Sequence, residues 1–184
     1  MPRLAAATRA AWDAGRTPLL VDATGDADGG FSPLETYFSY SGDALIEVKR
    51  YVVEVNMKKQ MTLEQARAEW RGTLLGAMKH GHTLALLLAN SAPPLRSRFC
   101  HPGSLPFALL EDAAAVAAAG AAGARWEGVP WAAALLAPGE LLLVHADFKV
   151  LAVTRFSKED YAEFLGDELP LGSMQHILVL PAGP

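Results

Sequence analysis

At 184 residues, half of them apolar (51%), the chain has the length and hydrophobic content for one domain with its own core. Its net charge of -4 is spread, with basic residues scattered rather than striped, so nucleic acid is not an expected partner. No apolar run approaches the ~20 residues of a membrane helix, Met1-Pro-Arg-Leu opens no signal-peptide stretch, and Cys100 stands alone. A lone cysteine excludes an intrachain disulfide and fits a reducing, cytoplasmic setting.

Leu4 to Ala14 reads as a short alanine-rich helix anchored by Trp12 and stopped at Gly15. Thr17-Pro-Leu-Leu-Val-Asp22 is a short buried strand, with Pro18 where a missing donor is tolerated. A Gly/Asp loop, Ala23 to Gly30, precedes a segment that Pro33 opens as a helix with Leu34, Tyr37 and Phe38 inward. Ser41-Gly42-Asp43 is a turn, and Ala44 to Val55 is β-rich, with Tyr51, Val53 and Val55 alternating against Val52 and Glu54. Thr62 and Gln65 form a capping box for a long helix whose apolar face is Leu63, Ala66, Trp70, Leu74, Ala77 and Met78. Lys79 and His80 suit its last turn, and Gly81 its left-handed stop. His82 to Asn90 is then a continuous apolar run, the pattern of a central strand covered on both faces.

Beyond Asn90, Ala92 to Leu109 is proline-rich and irregular, and Leu109 to Ala122 is an alanine-dense helix weakened by Gly120. Arg125 to Pro130 is loop. Leu141 to Val144 and Phe148 to Phe156 are strands around His145-Ala-Asp147, a hairpin or a bent pair. Ser157 and Asp160 make a second capping box for a helix with Tyr161, Phe164 and Leu165 inward and Gly166 as its stop, and Gln175 to Leu180 is the last strand. Strands alternating with helices predict a mainly parallel α/β sheet flanked by helices.

Two ligand readings fall on the first loop. Gly25 to Ser32 matches the spacing G-x-x-x-x-G-K-[ST], with Gly25, Gly30 and Ser32 in place, but Phe31 stands where the lysine belongs. Asp26 and Asp28 would repel phosphates, so a solvated turn is the favoured reading there. In a calcium reading, Thr24, Asp26, Asp28, Gly29, Phe31 and Glu35 fall at positions 1, 3, 5, 6, 8 and 12 of an EF-hand loop, though the incoming segment reads as strand, not helix. Zinc at His80, His82, Cys100 and His101 is improbable, because residues two apart across Gly81 share no helix face. Neither a G-x-S-x-G elbow nor a Cys-His dyad is formed, and Asp147, Glu159 and Asp160 read as turn and capping residues.

Three blocks carry a resemblance. Thr17-Pro-Leu-Leu-Val-Asp22 resembles the R/W-P-L-L-I-D strand of the fifth AAA module of dynein heavy chains, and Lys79 to Asn90 is similar to its F-G-x-P-V-L-L-E-N strand. Leu141 to Thr154 resembles its E-Y-x-x-D-F-R-x-Y-x-T-T hairpin, Asp147-Phe148 included, and the three keep the same order. Over its length the chain is similar to the C-terminal domain of the IQ motif and ankyrin repeat containing protein family. The resemblance implies one AAA-like, P-loop-NTPase-derived domain over residues 1–184, a C-terminal piece of a longer protein. It puts the Walker-B acid on Ala89, its neighbour on Asn90, and the sensor on Thr154 with Arg155 after it. With neither acid nor lysine, it implies a module without turnover that binds protein partners, in a cilium or cytoskeletal setting. No cofactor is expected. The alternatives are ATP or ADP at a degenerate site of Gly25, Gly30, Ser32, Asn90, Thr154 and Arg155, or calcium on Asp26, Asp28 and Glu35.

Overall fold

A computed structural model describes residues 2–25, 32–121, 131, 133–136 and 144–181. Five strands form one parallel sheet: β1 (Thr17–Asp22), β2 (Ala44–Glu47), β3 (Thr83–Ala89), β4 (Lys149–Thr154) and β5 (Met174–Val179), in the spatial order β2-β3-β4-β1-β5. In the three central strands alternate residues point to opposite faces, and both faces are dry. Leu19, Val21, Leu84, Leu86, Leu88, Val150 and Ala152 join one core cluster, while Leu20, Ala85, Leu87, Leu151 and Val153 join the other. Two-sided burial is why these strands read as unbroken apolar runs.

The second cluster is roofed by α1 (Pro2–Asp13) and α2 (Pro33–Tyr40), through Leu4, Trp12, Leu34 and Phe38. The larger cluster lies under α3 (Val48–Val52), α4 (Leu63–His80), α5 (Ala108–Glu111), α6 (Ala113–Ala121) and α7 (Tyr161–Leu165). Helix α4 forms as its sequence requires. The capping box on Thr62 and Gln65 closes in both directions, five buried side chains lie at three- and four-residue steps, and Gly81 ends it at φ +71°. Trp70 is fully buried, stacked on Phe99 with ring centroids 5.4 Å apart and edge-on to Tyr51 at 5.6 Å.

Several expected boundaries move. Ala44 to Val55 is not one strand: only Ala44–Glu47 pairs with β3, and the chain then turns through α3 into a π-helical turn, Val53–Met57. The apolar residues Val48, Tyr51, Val52 and Val55 fit a helix as well as a strand, and all four pack into the core. Arg50 bridges Glu47 and Glu54 on the outer side, a spacing only a helix brings together. The expected hairpin is absent among the described residues, since β4 lies between β3 and β1 and is parallel to both. Leu141 to Leu143 lie outside the described residues, and Val144 belongs to no strand.

The alanine-dense segment is two helices broken at Asp112, whose carboxylate accepts from Ala115 N at 2.8 Å. Ser157 and Asp160 do bond each other, but around the turn before α7. Phe164 is half exposed and stacks on Phe156. Gly166 sits at φ -58°, so it supplies no left-handed stop. Tyr37, expected inward, is 41% exposed.

Trp70→Ala is expected to lower stability by about 3–5 kcal/mol, read from urea midpoints, because no small side chain fills the space between Tyr51 and Phe99. Gly81→Ala is expected to cost about 1–2 kcal/mol or more. It forces alanine into a left-handed backbone and would set a Cβ 2.5 Å from the His145 ring.

Candidate functional site

Strand β1 leaves the sheet through α2 on one face, whereas its neighbour β4 leaves through α7 on the other. Adjacent strands whose connections part to opposite faces open a crevice at their carboxyl ends, where α/β proteins bind ligands. Asp22 ends β1 there and is 5% exposed. Its Oδ1 accepts from the Thr24 backbone N–H at 2.9 Å and the Thr24 hydroxyl at 2.6 Å. Its Oδ2 accepts from the Ser32 hydroxyl at 2.5 Å, and Ser32 Oγ in turn accepts from Glu35 N at 2.9 Å. Ser32 is therefore the N-cap of α2, backed by a carboxylate. Pro33 supplies no N–H, so this helix start offers few donors to any incoming anion.

Thr154 and Arg155 meet the end of β3 across the same crevice. Ala89 lies in the left-handed region at φ +52°, which costs an alanine on the order of 1–2 kcal/mol. Its carbonyl accepts from Arg155 N at 2.8 Å and from the Thr154 hydroxyl at 3.4 Å. Thr154 Oγ1 also accepts from Phe156 N at 3.2 Å, so this buried hydroxyl is committed to the backbone on both sides. The Arg155 side chain is 9% exposed and pairs with Glu35 at 3.6 Å. Burial raises the Glu35 carboxyl above the ordinary carboxylate range, against the attraction of Arg155, and the charges of Asp22 and Glu47 add to the rise.

Beside this cluster a cleft of about 880 Å³ opens over the ends of β2 and β3. Glu35, Ser39 and Tyr40 of α2 form one wall, Lys49, Arg50 and Glu54 the other, and Leu87 and Ala89 the floor. Lys49 Nζ donates to Asn90 Oδ1 at 2.6 Å. Of the expected residues, Ser32, Thr154, Arg155 and Asn90 thus gather at one end of the sheet. Gly25 lies just after Thr24 at the start of the loop. Gly30, Asp26 and Asp28 lie outside the described residues, as does Phe31. The sequence reading missed Asp22, Lys49 and Arg50. The i,i+4 spacing of Arg50 and Glu54 was the available sign that this stretch is helical.

The segment entering the calcium-spaced loop is strand β1, and Glu35 lies in the first turn of α2 with its carboxylate on Arg155. His80 and His82 rings lie 5.9 Å apart, with His82 Nδ1 on the Gly42 carbonyl at 2.6 Å. Among the described residues no three His, Cys, Asp or Glu side chains converge as a metal would need, and no helix is long and apolar enough to cross a membrane. Cys100 is buried and its thiol is pushed up to about 12, chiefly by burial. No family model, curated protein or solved structure matches the chain.

The raised Glu35 carboxyl has a defined sign in stability. The fold binds its proton more tightly than the unfolded chain does, so its contribution is present below the ordinary carboxylate value and lost as pH rises through the folded one. Glu35→Gln is expected to remove that loss, leaving the variant at least as stable as the parent at pH 7, with a flatter urea midpoint between pH 4 and 7. Cys100 is expected to stay unlabelled by a thiol-reactive disulfide reagent at pH 8 in the native protein and to react at once in urea. Labelling at the rate of a free thiol without denaturant would contradict its burial.

Proposed function

We propose that the chain is a catalytically inactive AAA-like domain acting as a structural or protein-interaction module, in a cilium- or cytoskeleton-associated protein. One observation carries the absence of turnover. Where a phosphate loop would aim donors at an anion, the start of α2 is already capped by its own Ser32 hydroxyl and backed by the Asp22 carboxylate. Ala89 stands where the resemblance places the magnesium-holding acid, and Phe31 where the phosphate-loop spacing needs a lysine. The five-stranded, all-parallel sheet flanked by helices is the α/β class that the AAA-like reading requires. The three blocks of resemblance contain the adjacent strands β1, β3 and β4.

For partner binding, Tyr40, at the rim of the cleft, is 87% exposed and Tyr37, three residues before it on α2, is 41% exposed. Aromatic side chains of this kind supply contact area at interface centres.

The purified protein is expected to release no phosphate from ATP or GTP with magnesium above the rate of buffer. Magnesium-dependent hydrolysis abolished by Asn90→Ala or Thr154→Ala would overturn the inactive reading. Thermal stabilisation by ADP that is lost in both Ser32→Ala and Arg155→Gln would replace it with a binder that does not hydrolyse. Stabilisation by calcium alone would point to the 24–35 loop.

A further inference from the structure

The cleft over β2 and β3 carries charges that do not cancel in the same way. Arg50 lies 3.8 Å from Glu47 and 3.9 Å from Glu54, so both acids of that wall share its guanidinium. Glu35 is paired with Arg155. Two lysines of the lining, Lys49 and Lys58, have no ion pair among the described residues, and of these Lys49 is held by a neutral acceptor, the Asn90 side-chain oxygen. A lysine bonded to an amide keeps its full positive charge while losing the freedom of a surface side chain.

Two backbone irregularities flank this group. Ala89, immediately before Asn90, is held at φ +52°, and a π-helical turn, Val53–Met57, contributes Val53 and Glu54 to the opposite wall. Left-handed non-glycine residues persist only where the surroundings enforce them, and π-turns concentrate at functional sites. Here the surroundings are the two bonds from Arg155 N and Thr154 Oγ1 to the Ala89 carbonyl. They set the turn from which the Asn90 side chain reaches Lys49. The result is an oriented, uncompensated cation in a cleft of about 880 Å³, within the size range of small-molecule sites.

We propose that this cleft binds a small organic anion, its phosphoryl or carboxylate group resting on the Lys49 ammonium. Ser32, at the phosphate-loop hydroxyl position, lines the α2 side of this cleft, but Lys49 stands on the opposite wall, and the proposal holds whether or not the AAA-like reading does. Asn90 is a positioning residue in it, holding Lys49 without neutralising it.

Thermal melting in inorganic phosphate and in acetate, each at ionic strength matched with sodium chloride, tests the proposal. At a concentration tenfold above the dissociation constant, the preferred anion is expected to raise Tm by about 3 °C in a saturable manner. Which of the two does so distinguishes a phosphoryl from a carboxylate ligand. Lys49→Gln, at an exposed position, is expected to keep the parent Tm in sodium chloride and to lose the rise, whereas Arg155→Gln is expected to retain it. No saturable rise with either anion up to 50-fold molar excess over a millimolar constant would overturn the proposal. An equal rise in Lys49→Gln would also overturn it, by showing a general salt effect.

Discussion

Two-sided burial of β3, β4 and β1 is the constraint on which the rest of this structure depends. The apolar side chains along these strands face one of two dry layers, so the backbone must satisfy itself within the sheet. Helices are then required on both faces, and connections between parallel strands must be long enough to carry them. Polar chemistry is driven to the strand ends, because nowhere in the middle can hold it. Asp22, Thr154 and Ala89 lie at such ends, and what each does follows from its being the last residue of a dry strand.

At those ends the protein spends most of its polar groups on itself. Asp22 fixes the loop through Thr24 and fixes α2 through Ser32, while Arg155 ties β4 to β3 by its backbone and to α2 by its side chain. Such a closed network joins three elements and leaves little for an external phosphate. Lys49 is the contrast, because a neutral partner orients it without cancelling its charge. The carboxyl ends of the sheet thus divide into a self-satisfied part around β1 and β4 and a more open part over β2 and β3.

How much could be read in advance varied with the kind of signal. The α4 boundaries were legible because caps are local: Thr62, Gln65 and Gly81 interact with backbone a few residues away. Strands β1 and β3 were legible because burial on both faces leaves an unbroken apolar run. The stretch from Val48 to Val55 was not, since Val48, Tyr51, Val52 and Val55 satisfy a helical period while their β-branched neighbours suggest a strand. What decided between them was that β2 has only four residues paired with β3 before α3 begins to cover the sheet. The parallel place of β4 between β3 and β1 was not legible either, as an apolar run does not say which strands will lie beside it.

By itself the sequence determined the class of fold, the long helix and its ends, the central strands, and the absence of a lysine at position 31 from the phosphate-loop spacing of Gly25 to Ser32. Those properties depend on residue type and on spacing over a few positions. Only the tertiary structure decided the strand order, the pairing of Glu35 with Arg155, the hold of Asn90 on Lys49 and the left-handed turn at Ala89. Each of these joins residues brought together by the sheet, or a backbone conformation imposed by such a contact. Lys49 and Asn90 are 41 positions apart in the chain, and only the parallel pairing of β2 with β3 sets them 2.6 Å from each other.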